Sequence, residues 1–279
     1  MKYPLTALMV SPEAFDIRYS INVHMTDETG HLKVVDKKQA QDQWTILKST
    51  YEKIGCSIKV VSGEHDYPDM VFCANQSFPF LDQDGLKCVL MSHMHAEQRK
   101  GEVPLIKDVF KNLGYKIYEL THSGDLEGSG DLLCDFESGR VFAGFGFRTS
   151  IDILNEVDKV ITKECIKLEL LNPRFYHLDT CLSIFNSKCA GFVREAFSPE
   201  GIKTLIQSFP DLIELNPQES LAKLAGNAHC PDGKNVIIQK DCIQTVKELK
   251  LRGFIVHEVD TSEYLKSGGS VFCLKQMIF

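Results

Sequence analysis

The 279-residue chain lacks the features that mark membrane, secreted and multidomain proteins. No apolar run approaches the roughly 20 residues of a membrane span, so no membrane partner is expected. The apolar stretch in residues 1–10 is too short for a secretory signal, and polar residues follow it at once. No linker, low-complexity tract or long charge run divides the chain. These absences predict one domain over residues 1–279, located in the cytoplasm.

The ten cysteines have no regular spacing and form no Cys-x-x-Cys pair. In a chain of this size without a secretory signal, that distribution is typical of reduced, mostly buried thiols. The net charge of −7 argues against a nucleic-acid partner, because phosphate binding needs clustered Lys and Arg. An acidic protein suits a cationic small molecule, although mild acidity also serves solubility alone.

Stretches with helical and strand-like patterns alternate along the chain. The spacing of apolar residues predicts helices over 38–54, 103–113 and 240–252, each ending at a glycine. Short apolar runs predict strands at 58–61, 88–92, 116–120 and 253–259. The repeated order of helix, glycine and strand is typical of an α/β protein.

Polar segments that lead straight into apolar residues recur about every fifty residues, a spacing typical of repeated supersecondary units. They begin near residues 69, 127, 177, 226 and 268. Five similar units closing a ring would bring all five segments to one centre. The spacing alone carries this prediction, because the segments share almost no sequence.

The last of these segments presents a cysteine in a favourable setting. Gly268 and Gly269 form a turn that leads to Cys273 beside a short apolar run, which is how a fold exposes a thiol. The earlier segments supply the imidazole of His177 and several carboxylates. A base, carboxylates and a thiol together indicate a cysteine enzyme acting on cationic C–N compounds.

These motifs resemble the guanidino-group-modifying enzymes of the pentein superfamily, which include arginine deiminase, dimethylarginine dimethylaminohydrolase (DDAH) and the amidinotransferases. The likeness rests on Glu127-Gly128-Ser129-Gly130-Asp131, His177-Leu178-Asp179 and Gly268-Gly269-x-x-x-Cys273. It covers the chain from Asp69 to Cys273 in the family's order. Residues 172–179 and 146–149 are further points of similarity to bacterial DDAH-like proteins. The resemblance implies an α/β five-bladed propeller with a pseudo-fivefold repeat and a central active site.

The resemblance implies a catalytic set of Cys273, His177 and Glu127 that acts on a guanidino substrate without metal or organic cofactor. Cys273 would attack the guanidinium carbon as thiolate, giving a covalent thiouronium intermediate. His177 would protonate the leaving amine and then deprotonate the hydrolytic water. Glu127 would bond the substrate nitrogens and hold His177. On an extended segment, Asp179 would point to the same side as His177.

Six further residues are candidates for binding the substrate: Asp69, Asn75, Asp179, Arg148, Asp131 and Arg99. Carboxylates match the donors of a planar guanidinium in geometry and charge. Arg148 resembles the family arginine that grips a substrate carboxylate, and Arg99 is a second candidate for that role. The plainer alternatives are turn residues for the aspartates and an exposed basic residue for Arg99. A His-x-Asp pair also suits a metal, but no third and fourth ligand has matching spacing, so no metal is expected.

Asn75 departs from the family pattern, because deiminases and DDAH enzymes commonly carry an acid there. Succinylarginine dihydrolase is similar to this chain in having asparagine. A neutral amide can donate to the oxygen of a ureido product and keep it bound for a second attack. The sequence therefore leaves four functions open: DDAH-like single hydrolysis, two-step hydrolysis, amidino transfer to an amine, and a catalytically silent ligand-binding protein. It also leaves the oligomeric state open, a homodimer included.

Overall fold

The computed structural model describes residues 3–279, whose strands form five small sheets. The strands are β1 (Thr6–Val10), β2 (Ser57–Val61), β3 (Ser77–Leu81), β4 (Lys87–Met91), β5 (Lys116–Tyr118), β6 (Leu132–Cys134), β7 (Val141–Phe145), β8 (Ile166–Glu169), β9 (Leu182–Ile184), β10 (Cys189–Phe192), β11 (Asp211–Glu214), β12 (Asn235–Gln239), β13 (Ile255–Val259) and β14 (Gln276–Ile278). The helices are α1 (Lys37–Ile54), α2 (Glu102–Asn112), α3 (Gly128–Asp131), α4 (Leu154–Ile161), α5 (Pro199–Ser208), α6 (Pro217–Lys223), α7 (Ile243–Leu251) and α8 (Ser262–Leu265). The predicted α/β class is confirmed.

The sheets share one connection pattern, in which an antiparallel pair is followed by a helix and a parallel strand. β3 pairs antiparallel with β4, and β4 pairs parallel with β5 across α2. The same order recurs in β6–β8 across α4 and in β9–β11 across α5. β12 and β13 are parallel across α7, with an isolated antiparallel bridge from His229 to Ile237 in place of an outer strand. Each unit can therefore bury the apolar faces of its helix and sheet against each other.

The first sheet is completed by the end of the chain. β14 pairs antiparallel with β1, and β1 pairs parallel with β2 across α1. The pairing of Thr6 with Ile278 ties the two chain ends to each other. The turn that carries Cys273 directly precedes β14, so this pairing also anchors that turn.

The predicted helices form where local signals begin and end them. The α1 helix starts at Asp36, whose side chain accepts a hydrogen bond from the Gln39 amide at 3.0 Å. It ends at Gly55, which has φ of 98°, a left-handed conformation that glycine adopts without strain. Trp44 and Tyr51 bury one face against the core. The helices predicted over 103–113 and 240–252 are confirmed as α2 and the shorter α7.

Short helical turns lie at four of the five recurring polar segments. They are Pro68–Val71, α3, Leu178–Thr180 and Ala225–Asn227, and each comes shortly before the first strand or bridge of a sheet. The α3 turn contacts the Leu178–Thr180 turn, which in turn contacts Ala225–Asn227. The spacing of about fifty residues therefore reports a structural repeat.

The prediction of an extended His177–Asp179 segment is wrong from residue 178 onwards. His177 itself is extended, with φ of −124° and ψ of 154°, but Leu178–Thr180 closes a helical turn. The turn forms because the amide and hydroxyl of Thr180 both donate to the His177 carbonyl, at 3.2 and 2.6 Å. From this turn, Asp179 contacts Cys273, whose Sγ lies 3.1 Å from Asp179 Oδ2.

The expectation of reduced, mostly buried cysteines is confirmed. All ten are free thiols, and all but the partly exposed Cys134 are buried. Within residues 3–279, no helix combines the length and apolar character needed to cross a membrane.

Candidate active site

A small cavity lies where the short turns meet. Its walls include six of the residues that the sequence singled out: Asp69, Asn75, Arg99, Arg148, His177 and Cys273. Ile21, Asn22, Met25 and Tyr176 also line it. The structure therefore brings together side chains from distant parts of the sequence. Glu127 lies directly behind this wall, in contact with His177 and Arg148.

The Cys273 thiol is held in place by Asn227, which sequence reasoning missed. Asn227 Oδ1 accepts hydrogen bonds from the amides of Ser270, Phe272 and Cys273, at 3.1 to 3.3 Å. Its Nδ2 donates to Cys273 Sγ at 3.2 Å. The only sequence signal for it was its position in the fourth polar segment. Asn227 thus fixes both the turn and the sulfur.

The Cys273 thiol is protonated in the ligand-free protein. Burial raises its pKa well above the usual value, and the neighbouring Asp179 carboxylate raises it further. Cys273 Sγ lies 3.1 Å from Asp179 Oδ2 and donates to it. Burial also raises the pKa of Asp179 to about 7, although the contact with Cys273 opposes this. A cation in the cavity would stabilise the thiolate and make the sulfur nucleophilic.

A buried network joins His177, Glu127 and Arg148. His177 Nε2 lies 2.6 Å from Glu127 Oε2, and Arg148 Nη1 donates to the same carboxylate oxygen at 3.1 Å. Burial alone would raise the pKa of Glu127. The hydrogen bond with His177 and the positive charges of Arg148 and Arg99 instead hold that pKa well below its usual range. Because Nε2 is engaged with Glu127, Nδ1 is the His177 nitrogen left to exchange a proton with a ligand.

Arg148 is oriented by several protein groups. Besides Glu127, its Nη2 donates to the Ile21 carbonyl at 2.7 Å, and its guanidinium lies 4.8 Å from the centre of the Tyr176 ring. Asn22 is also held in place, since its Nδ2 donates to the Ser267 carbonyl at 3.0 Å. Arg148 therefore links the Ile21 backbone to the His177–Glu127 pair. Its grip on a substrate carboxylate stays a prediction.

The orientation of Asn75 follows from its neighbour Arg99. Arg99 Nη1 donates to Asn75 Oδ1 at 2.9 Å, and an arginine has no acceptor to offer the amide nitrogen. Asn75 Nδ2 is buried and has no hydrogen-bond partner among the described residues. A Cβ at Gly130 would lie 2.3 Å from Nδ2, so glycine is needed there to leave the amide its space. Asn75 is thus an oriented donor without an acceptor in the cavity wall.

Arg99 is buried, whereas an exposed basic residue was the alternative that the sequence left open. Its Nε and Nη2 donate to Glu102, and Nη2 also reaches the carbonyls of Asp69 and Phe72. Most of its guanidinium is therefore occupied by protein acceptors. The geometry points to orienting Asn75, while direct binding of a substrate carboxylate stays a prediction.

We expect Arg99→Met to lower the free energy of unfolding by about 3–5 kcal/mol, because it leaves the buried Glu102 carboxylate without its cation. Urea denaturation measures this loss. The control is Arg194→Met, which breaks an exposed ion pair with Glu214 and should cost no more than about 1 kcal/mol. Equal losses in the two variants would contradict the structural role of Arg99.

The three aspartates occupy different settings. Asp69 lines the cavity and accepts from Ser267 Oγ at 3.2 Å, while its Oδ2 has no well-formed hydrogen bond among the described residues. Asp179 Oδ2 accepts a hydrogen bond from Cys273 Sγ, and Asp179 is not among the described residues that line the cavity. Asp131 accepts from Thr149 and from the Leu178 amide and is not among the described residues that line the cavity. Asp131 thus joins α3 to the segment that carries His177, and binding to a substrate is not supported by its placement.

Residues 3–279 contain no group of three or more His, Cys, Asp or Glu side chains arranged to hold a metal ion.

The fold and cavity define a protein of the guanidino-modifying pentein class, and comparison with known proteins identifies the family. The family profile described as "N,N dimethylarginine dimethylhydrolase, eukaryotic" matches residues 11–279. The dimethylarginine dimethylaminohydrolase of Mycobacterium tuberculosis H37Rv is 34% identical over 265 residues, covering 95% of this chain and 83% of the relative. The chain belongs to the dimethylarginine dimethylaminohydrolase family.

A second relative is the bifunctional arginine dihydrolase/ornithine cyclodeaminase ArgZ of Synechocystis. It is 32% identical over 270 residues, which are 96% of this chain but 37% of ArgZ. The solved N-terminal domain of ArgZ, bound to product, is similar with a TM-score of 0.91 and 29% identity, covering 99% of this chain and 98% of that domain. The likeness to ArgZ is therefore confined to this N-terminal domain.

Proposed function

We propose that this chain is a cysteine-dependent hydrolase of the guanidino group of arginine or an N-substituted arginine, and that it carries out two successive hydrolyses. The family and the ArgZ likeness support guanidino hydrolysis. The oriented, unpartnered amide of Asn75 in the cavity wall is the observation that favours the second step.

In the first step, the guanidinium enters beside Asp69 and the His177–Glu127 pair. Its positive charge lowers the pKa of Cys273, whose proton leaves the sulfur towards Asp179. The thiolate forms a bond to the central carbon of the guanidinium. A terminal amine leaves with a proton from His177, so that a covalent thiouronium remains on Cys273.

In the second half of this step, His177 takes a proton from water, and the resulting hydroxide adds to the same carbon. The carbon–sulfur bond breaks, its electrons return to sulfur as the thiolate, and the newly added hydroxyl releases its proton to solvent. The product carries a neutral ureido group. For an arginine substrate, that product is citrulline.

Asn75 then decides whether the ureido product stays. A carboxylate at this place would hold a guanidinium well but would repel the ureido oxygen, whereas the Asn75 N–H can donate to that oxygen. The retained product can be attacked again, giving ornithine, a second ammonia and carbon dioxide. ArgZ offers a parallel, since an asparagine-to-serine variant of its N-terminal domain is covalently bonded to a reaction intermediate.

Single hydrolysis of methylated arginine is the second candidate. The family profile and the mycobacterial relative favour it, because both carry the name of that activity. The two candidates differ in their products: methylated arginine would yield citrulline and an alkylamine, whereas arginine would yield ornithine and ammonia. Amidino transfer would instead give a new guanidino compound when glycine is added as acceptor.

We expect Asn75→Asp to lower the ratio of ornithine to citrulline formed from arginine by about tenfold or more, because the second substrate loses its donor and meets a negative charge. Quantification of both amino acids by mass spectrometry measures the ratio. The control is Asn155→Asp, where an asparagine outside the cavity accepts from Lys167. A wild-type protein that forms citrulline from methylated arginine and never ornithine would replace this proposal with single hydrolysis.

We also propose that the fold around the site is a five-bladed propeller. The five sheets with their common connection order would form the blades of a propeller, closed by the pairing of β14 with β1. Contacts between successive short turns support a ring with the cavity at its centre. Residues 1–279 would then be one domain, because a ring of blades has no natural boundary within it.

A further inference from the structure

A second cavity lies beside the turn that carries Cys273. Its lining includes Phe272 and Lys275, which flank Cys273 in the sequence, and the two cavities share none of their described lining residues. Five aromatic rings form much of its wall: Tyr3, Phe78, Phe136, Phe185 and Phe272. The mechanism above makes no use of this cavity.

Lys275 is the unusual group in this second cavity. Its side chain is only 1% exposed, and its Nζ lies 3.0 Å from the centre of the Phe272 ring. No carboxylate oxygen of residues 3–279 lies within 4.0 Å of this nitrogen. A buried ammonium without a carboxylate in ion-pair contact is costly, because the charge has lost its water and only the more distant Asp179 carboxylate offsets that loss.

The other polar groups around the cavity do not supply the missing anion. Asp135 is held by Arg140 at 3.0 Å. His229 is neutral, since burial and the charge of Lys275 lower its pKa well below the usual value, and its Nδ1 is bonded to the Tyr51 hydroxyl. Gln276 Oε1 has no hydrogen-bond partner among the described residues. Asp179 acts on Lys275 from beyond ion-pair distance, and its Oδ2 already accepts from Cys273, so Lys275 has no ion-pair partner of its own among the described residues.

We propose that this second cavity binds a small monocarboxylate, with the carboxylate on Lys275 and the hydrocarbon part against the aromatic rings. One negative charge neutralises one ammonium, whereas a phosphate dianion would leave a buried charge unpaired. The aromatic walls favour an apolar body over a fully polar ion such as chloride. The site is distinct from the catalytic cavity but only two residues from Cys273.

The pH dependence of binding provides a direct signature. Burial lowers the pKa of Lys275 to about 7, and the groups that interact with it are Asp179, Cys73, Cys273 and His229. The carboxylate binds the protonated amine, which predominates below this pKa. Affinity for butyrate should therefore be highest below pH 7 and fall by up to about tenfold for each pH unit above it.

The test is calorimetric titration of the wild-type protein with butyrate at about one-unit pH intervals on both sides of the Lys275 pKa of about 7. Lys275→Met, which keeps the volume and removes the charge, should abolish saturable binding. Lys250→Met removes an exposed lysine and should bind as the wild type does. Arg148→Met should also retain binding, which separates this site from any carboxylate site in the catalytic cavity.

Any of four results would overturn the proposal. The wild-type protein could show no saturable butyrate binding, or an affinity independent of pH. Lys275→Met protein could bind butyrate as tightly as the wild type. The site could bind chloride or phosphate as tightly as butyrate. The wild-type pH profile decides the matter even if the Lys275 variant does not fold, and no step of the test depends on turnover.

Discussion

Cys273→Ser should reduce turnover of the guanidino substrate by about 10⁴-fold or more, the largest effect expected of any single substitution. A serine hydroxyl ionises far less readily than a thiol, and the buried setting that raises the pKa of Cys273 disfavours an alkoxide even more. The fold should be unaffected, because serine can still donate to Asp179. Product analysis of the wild-type protein first identifies the substrate. Steady-state kinetics with that substrate then measures the loss of turnover.

Cys242→Ser is the matched control for this variant. Cys242 is buried and precedes α7 at its N-cap position, where serine is well tolerated. Activity within about twofold of the wild type is expected for it. Near-normal turnover in the Cys273 variant would remove covalent catalysis by this sulfur from the account.

His177→Asn should reduce turnover by about 10² to 10⁴-fold, the range expected for loss of general acid–base catalysis. The first amine then leaves without a proton donor, and the water that attacks the thiouronium lacks its base. The second defect has its own signature, because the covalent intermediate on Cys273 should accumulate. Intact-protein mass spectrometry after mixing with substrate detects the added mass.

The control for this variant is His257→Asn, since His257 is part-buried, is bonded to Asn235 and is not among the described residues that line the cavity. It should neither slow turnover nor trap an adduct. A His177 variant with unchanged rate and no adduct would show that another group moves the protons.

The sequence predicted the alternation of helices and strands because local signals decide those elements. Gly55 ends α1, and the apolar run at 88–92 becomes β4 with a shift of one residue. The repeat of about fifty residues was also visible. The prediction of an extended conformation for residues 177–179 was wrong because the Thr180 hydroxyl donates a hydrogen bond to the His177 carbonyl. Strand periodicity does not reveal this interaction.

The cavity residues were largely predictable through family resemblance, but their partners were not. Asn227 gives no sequence signal for bonding Cys273, because that contact joins two separate polar segments. Arg99 was a candidate ligand for substrate, yet its burial against Glu102 depends on how α2 packs. Lys275 reads as an ordinary surface lysine until the structure places it in an apolar space. Such roles arise from tertiary packing rather than from local pattern.

The most direct test of the account is a crystal structure of the His177→Asn protein after exposure to arginine. The account predicts continuous electron density from Cys273 Sγ to the amidino carbon, with the Asn75 amide within hydrogen-bond distance of the trapped group. Arginine bound elsewhere, or an unmodified Cys273 in protein that still turns over its substrate, would contradict it.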